Sequence, residues 1–77
     1  MSAALSPAAK NRWLKAVGDN VRRQRKQAGL TQEQLAELAD LAPRTIQKIE
    51  AGRLDILATT IRRLQQALHC RYDDLLA

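Results

Sequence analysis

With 77 residues, the chain is long enough for one small domain and too short for two. Thirteen lysines and arginines against eight acidic residues give a formal charge of +5, which suits an anionic partner as well as an ordinary solvated surface. The single cysteine, Cys70, excludes an internal disulfide framework and fits a reducing cytosol, and no apolar run nears the ~18 residues needed to cross a membrane.

Met1 to Leu5 lacks the basic segment and long apolar run of a signal peptide, so the expected location is the cytoplasm. Ser6-Pro7 opens the first helix, with serine as cap and proline at the first helical position. Trp13, Val17, Val21 and Ala28 lie roughly on one stripe at helical spacing, and Trp13 is expected in the core. Gly29 stops this helix in the left-handed conformation. Gly18 costs about 1 kcal/mol relative to alanine and is expected to divide the segment into a mobile leader and a docked part. The leader would cover residues 1–20 and the domain proper residues 21–77.

Thr31 and Gln34 form a capping box that opens a second helix, whose Leu35, Leu38 and Ala39 face inward. Asp40-Leu41-Ala42 makes a tight turn, Pro43 starts a third helix and Gly52 ends it. Asp55 can cap a fourth helix with Ala58, Ile61, Leu64, Ala67 and Leu68 as its apolar stripe. His69-Cys70-Arg71 breaks that pattern, and a last short helix covers Tyr72 to Leu76. No segment alternates with period two over a strand length, so the expected fold is an all-α bundle of five helices.

The third helix carries the functional signal. Stepping about 100° per residue from Arg44 places Lys48 near 40°, Ala51 near 340° and Gln47 near 300°. Thr45, Ile49 and Ile46 fall at about 100°, 140° and 200°. One face is therefore long polar side chains around a small alanine; the other is β-branched and must pack. Arginine and lysine match the acceptor edge of guanine, and glutamine can pair with adenine in the major groove. A lone amphipathic helix of this kind would be read as a solvated surface. The preceding helix and the turn length favour a helix-turn-helix instead.

Gln32 sits in the first turn of the second helix, where unpaired N–H groups and the helix dipole favour a phosphate, or it is simply a polar residue at a helix start. Between Pro7 and Ala28, Lys10, Arg12, Lys15, Arg22, Arg23, Arg25 and Lys26 stand against Asp19 alone. This basic flank can serve both the phosphate backbone and solubility.

These residues resemble the phage repressor/Cro-type, or xenobiotic-response-element type, helix-turn-helix family. The matching motifs are VRRQRKQAGLTQEQLA (21–36), TIQKIEAG (45–52) and YDDLL (72–76), spread over roughly three quarters of the chain. The resemblance implies a compact five-helix repressor-like domain with the helix-turn-helix in helices two and three. It implies base reading by Arg44, Gln47 and Lys48, and phosphate contacts from Gln32, Thr45 and the segment after Gly52, where Arg53 stands; Arg22 joins them from the basic flank. It also implies a structural ion pair between Arg25 and Glu50.

Three positions depart from the family pattern. Asp40 stands where glycine is usual in the turn, and Ala42 replaces the usual serine or threonine cap, a loss of about 1 kcal/mol. Pro43 replaces a polar contact residue, which shifts the expected reading toward Arg44, Gln47 and Lys48.

The expected function is a bacterial or phage-encoded regulator that binds a double-stranded DNA operator as a homodimer, with Tyr72, Leu75 and Leu76 as candidate dimer contacts and the two leucines equally available to the core. A second reading is a protein-interaction module, such as the antitoxin half of a toxin–antitoxin pair, using Trp13, Leu14, Leu75 or Leu76. An enzyme is not expected. His69 and Cys70 are neighbours at a helix junction without a third orienting group, and two such ligands are too few for zinc. Asp73-Asp74 is better explained as an acidic pair at a helix start than as a metal site. No cofactor is expected.

Overall fold

The computed structural model describes residues 6–77; the reading of Met1 to Leu5 lies outside them. Five helices follow in order: α1 (Pro7–Gln27), α2 (Gln32–Ala39), α3 (Pro43–Glu50), α4 (Ala58–Leu68) and α5 (Tyr72–Leu76). α1 packs on α3 and α5, and α2 packs on α3 and α4. The core between them is formed largely by Val17, Val21, Leu35, Ile46, Ile49, Leu64 and Leu75, all fully buried.

The helix boundaries follow local chemistry. Ser6 Oγ accepts from the Ala9 N–H at 3.1 Å, and Pro7 occupies the first helical position. The Thr31–Gln34 capping box is closed in both directions, at 3.0 and 2.9 Å. Asp40 takes the left-handed conformation at φ 56°, and the Leu41 N–H reaches back to the Ala36 carbonyl at 2.8 Å. α3 starts at Pro43 with no side-chain cap on Ala42. Its end is wrapped by the Gly52 and Arg53 N–H groups, which donate to Ile49 and Lys48 carbonyls at 3.0 and 2.9 Å.

Several expectations are corrected. Gly18 does not divide the first helix: α1 runs unbroken through it, and Leu14 and Val17 join Val21 inside. The glycine is required by close approach, because a Cβ there would sit 2.3 Å from the Ile49 carbonyl oxygen. Gly18→Ala gains helix propensity but must push α1 off the end of α3, and overpacking costs about 1–3 kcal/mol. We expect a lower melting temperature in thermal unfolding, by roughly 5–15 °C.

Trp13 is not a core residue; its relative exposure is 44%. The buried stripe of α1 runs through Leu14, Val17, Gly18, Val21 and Arg25, and Trp13 lies about 100° from its centre. Ala28, at the end of the helix, is exposed. Leu38 is 60% exposed, because α2 turns Leu35, Ala36 and Ala39 inward, a stripe rotated toward Ala36. Asp55 does not cap α4. Its carboxylate pairs with Lys10 at 2.8 Å, and the cap position falls to Leu57, which has no side chain to serve it. Ala58 is exposed in the first turn, so the α4 stripe begins at Ile61.

At the α4–α5 junction His69 adopts φ 52°, an unforeseen left-handed residue that ends α4. Asp73 and Asp74 lie in the first turn of α5, and the Asp74 carboxylate accepts the Arg71 N–H at 2.9 Å. Leu75 is 0% exposed, a core residue and not a dimer contact. α5 is held by Asn20, whose Nδ2 donates to the carbonyls of Leu75 at 2.9 Å and Ala77 at 3.1 Å. No helix among the described residues is long and apolar enough to cross a membrane.

Candidate nucleic-acid interface

α3 is anchored by Ile46, Ile49 and Glu50, all buried. That anchoring leaves Arg44, Gln47 and Lys48 exposed on the opposite side. These three border one shallow surface depression with Ala51, Arg53 and Leu54. Arg53 is brought there by the chain reversal at Gly52, which has φ 72°. The reversal fits tightly against α1: a Cβ on Gly52 would lie 2.9 Å from the Lys15 Cα. Thr45 is half-buried on the flank of α3.

Behind this surface lies a charged cluster. Arg25 donates from Nε to Glu50 Oε2 at 2.7 Å and from Nη2 to Oε1 at 3.0 Å. Its remaining nitrogen, Nη1, donates to the Leu30 carbonyl at 2.9 Å. The expected Arg25–Glu50 pair is therefore formed, joining α1 to the end of α3. Two further donors converge on Glu50 Oε1: Gln32 Nε2 at 3.1 Å and Arg22 Nε at 3.3 Å. Nothing in the spacing of these residues announces this convergence, since 18 and 28 positions separate them from Glu50.

Burial alone would raise the Glu50 pKa, but the bonds from Arg25, Gln32 and Arg22, with the Arg25 charge, outweigh it and hold the carboxyl below its ordinary value. The bond to Glu50 likewise raises the Arg25 guanidinium, against a smaller opposing effect of burial. Among the described residues no buried side-chain nitrogen or oxygen lacks a hydrogen-bond partner.

The remaining candidates fall elsewhere. Tyr72 and Leu76 flank an apolar depression together with Trp13, Ile56 and Ile61, on a part of the surface that shares no residue with the α3 depression. Leu14, one of the residues considered for a partner surface, is buried. Cys70 is half-buried, and burial, with help from Asp74, pushes its thiol up and leaves it protonated at neutral pH. No group of three potential metal ligands exists among the described residues.

A family model described as helix-turn-helix, HTH_3, matches residues 21–75. The chain belongs to this helix-turn-helix family. It is a DNA-binding transcriptional regulator, and the family is not enzymatic. The restriction-modification controller protein C.AhdI from Aeromonas hydrophila is 31% identical, with a TM-score of 0.78 over 80% of this chain and 94% of its own. The clp gene regulator ClgR from C. glutamicum is 26% identical over 83% of each chain, also at TM-score 0.78. NHTF from Neisseria, a hypothetical transcription factor, is 25% identical at TM-score 0.82 and covers all of this chain and 86% of its own. A search of curated proteins finds no match.

Proposed function

We propose that this regulator binds a specific operator by placing α3, which starts at Pro43, in the DNA major groove. The observation that carries this reading is the exposed Arg44, Gln47 and Lys48 face on a helix whose other side is locked into the core. Arg44 and Lys48 read guanine edges and Gln47 reads adenine. Gln32, Thr45, Arg53 and Arg22 contact flanking phosphates, which position the helix without carrying sequence information. The DNA-binding unit takes in all five helices, and the expected boundary after residue 20 does not separate it from a leader, because Leu14, Val17 and Asn20 are buried with the rest of α1.

The active form is a homodimer on a palindromic site, with its two α3 helices about 34 Å apart, one duplex turn. Tyr72 and Leu76, beside exposed Trp13, support an apolar contact between copies. The regulator works in the cytoplasm of a bacterium, as a repressor or a controller of transcription. C.AhdI, a restriction-modification controller, supports the second role by analogy.

Selection of bound duplexes from a random pool tests this directly: the enriched sequence should be palindromic, with half-sites one turn apart. The salt dependence of its affinity should be steep. With roughly six to ten phosphate contacts, affinity falls about 10³–10⁵-fold between 50 and 200 mM salt.

The apolar depression around Trp13 also supports a second reading, a protein-interaction module such as an antitoxin. A complex held by apolar burial would survive that salt increase, and the random pool would yield no preferred duplex.

A further inference from the structure

We propose that Glu50 is a positioning residue for DNA: its buried carboxylate holds the Gln32 amide and the Arg22 guanidinium as one preset phosphate-binding pair. This rests on the reading of both side chains as phosphate contacts. A purely structural ion pair needs only Arg25, which already engages both Glu50 oxygens and is itself nearly enclosed, with its side chain 10% exposed. Arg22 and Gln32 add nothing that such a pair requires. They come from two different helices, α1 and α2, yet converge on the same oxygen, Oε1.

Their geometry leaves each with donors to spare. The Arg22 side chain is 51% exposed and is held through Nε alone. Its two Nη groups make no hydrogen bond among the described residues. Gln32 is half-buried, and its Nε2 has a second proton beyond the one given to Glu50. A charge-assisted bond to a fully buried carboxylate fixes the root of each group and removes rotamers that binding would otherwise have to remove. The cluster of Arg22, Arg25 and Glu50 keeps one net positive charge, and the exposed member that carries it is Arg22.

The test uses the full chain and the duplex it selects from the random pool. Glu50→Gln retains the shape and one acceptor but removes the charge. Its affinity should fall about tenfold at a temperature where circular dichroism shows it folded. Arg22→Ala should then cost at least threefold less in the E50Q background than in the parent. An E50Q protein that melts earlier but, once folded, binds as the parent does, with Arg22→Ala additive, would make Glu50 structural only and overturn the proposal. Tighter binding by E50Q would overturn it too, since Glu50 would then act as a competitor of phosphate.

A second measurement does not require E50Q to fold. In the DNA-free parent, ¹⁵N relaxation should show an ordered Gln32 side-chain amide, and free rotation of that amide would contradict the preset pair. A parent chain that enriches no duplex sinks the DNA reading and this inference together. A parent that binds while E50Q leaves affinity unchanged sinks this inference alone.

Discussion

Replacing Arg25 with alanine is expected to destabilise the domain by about 3–5 kcal/mol, the cost of leaving a buried charge without its partner. The charge left behind is Glu50, whose side chain is fully buried and receives both strong bonds from Arg25. Arg22 and Gln32 would remain on one oxygen, but neither replaces the bidentate contact. A domain of this size has a total stability of about 4–12 kcal/mol, so the loss is a large fraction of the whole. Thermal melting should show a drop of roughly 15–30 °C, or no folded baseline at all. A change of only a few degrees would mean that the pair contributes little to holding α1 against α3.

The same cluster gives stability a pH dependence with a definite sign. The folded state holds the Glu50 pKa below its unfolded value. Its contribution is therefore fully present above the unfolded value of about 4.3 and is lost as pH falls through the lower folded value. Arg25 is shifted upward by that same carboxylate, so the pair's contribution, lost in acid with the Glu50 charge, fades again only at extreme alkaline pH. Denaturant titrations should show stability falling below about pH 4, and less steeply in Glu50→Gln than in the parent.

Arg44→Ala is expected to weaken operator binding by about 5- to 150-fold, the equivalent of one bidentate base contact worth about 1–3 kcal/mol. The fold should not notice. Arg44 is exposed at the start of α3 and makes no ion pair among the described residues, and surface substitutions of this kind change stability by about 0.5 kcal/mol or less. The informative comparison is between operator and random duplex. Loss of a base contact reduces the first far more than the second, whereas loss of a phosphate contact weakens both. A variant that binds the operator as tightly and selectively as the parent would remove Arg44 from the reading face. The focus on Arg44, Gln47 and Lys48 follows from Pro43, whose ring occupies the first position of α3 and has no polar group to offer.

The order and type of the five helices were legible in the sequence because their signals are local. Ser6-Pro7, the Thr31–Gln34 box, Pro43, Gly29 and Gly52 each act within a turn of where they stand. The polar face of α3 was legible for the same reason: its β-branched side had only one way to be buried, which left Arg44, Gln47 and Lys48 outside. The Arg25–Glu50 pair came through family resemblance, not through spacing.

Tertiary structure decided what periodicity leaves open, namely how far each apolar stripe is rotated and what approaches it. A helix stripe is broad, so Trp13 and Leu38 sat within the sequence pattern yet fell outside the surface that α3, α4 and α5 cover. Leu75 and Leu76 are neighbours of the same chemistry, and only the seating of α5 on α1, clamped by Asn20, put the first in the core. Gly18 looked like a weak point by propensity and proved to be a contact, because the end of α3 crosses there within backbone distance. The convergence of Gln32, Arg22 and Arg25 on Glu50 belongs to this second class. The bonds run between residues 18 to 28 positions apart, so three helices had to be packed before one carboxylate could be their common acceptor.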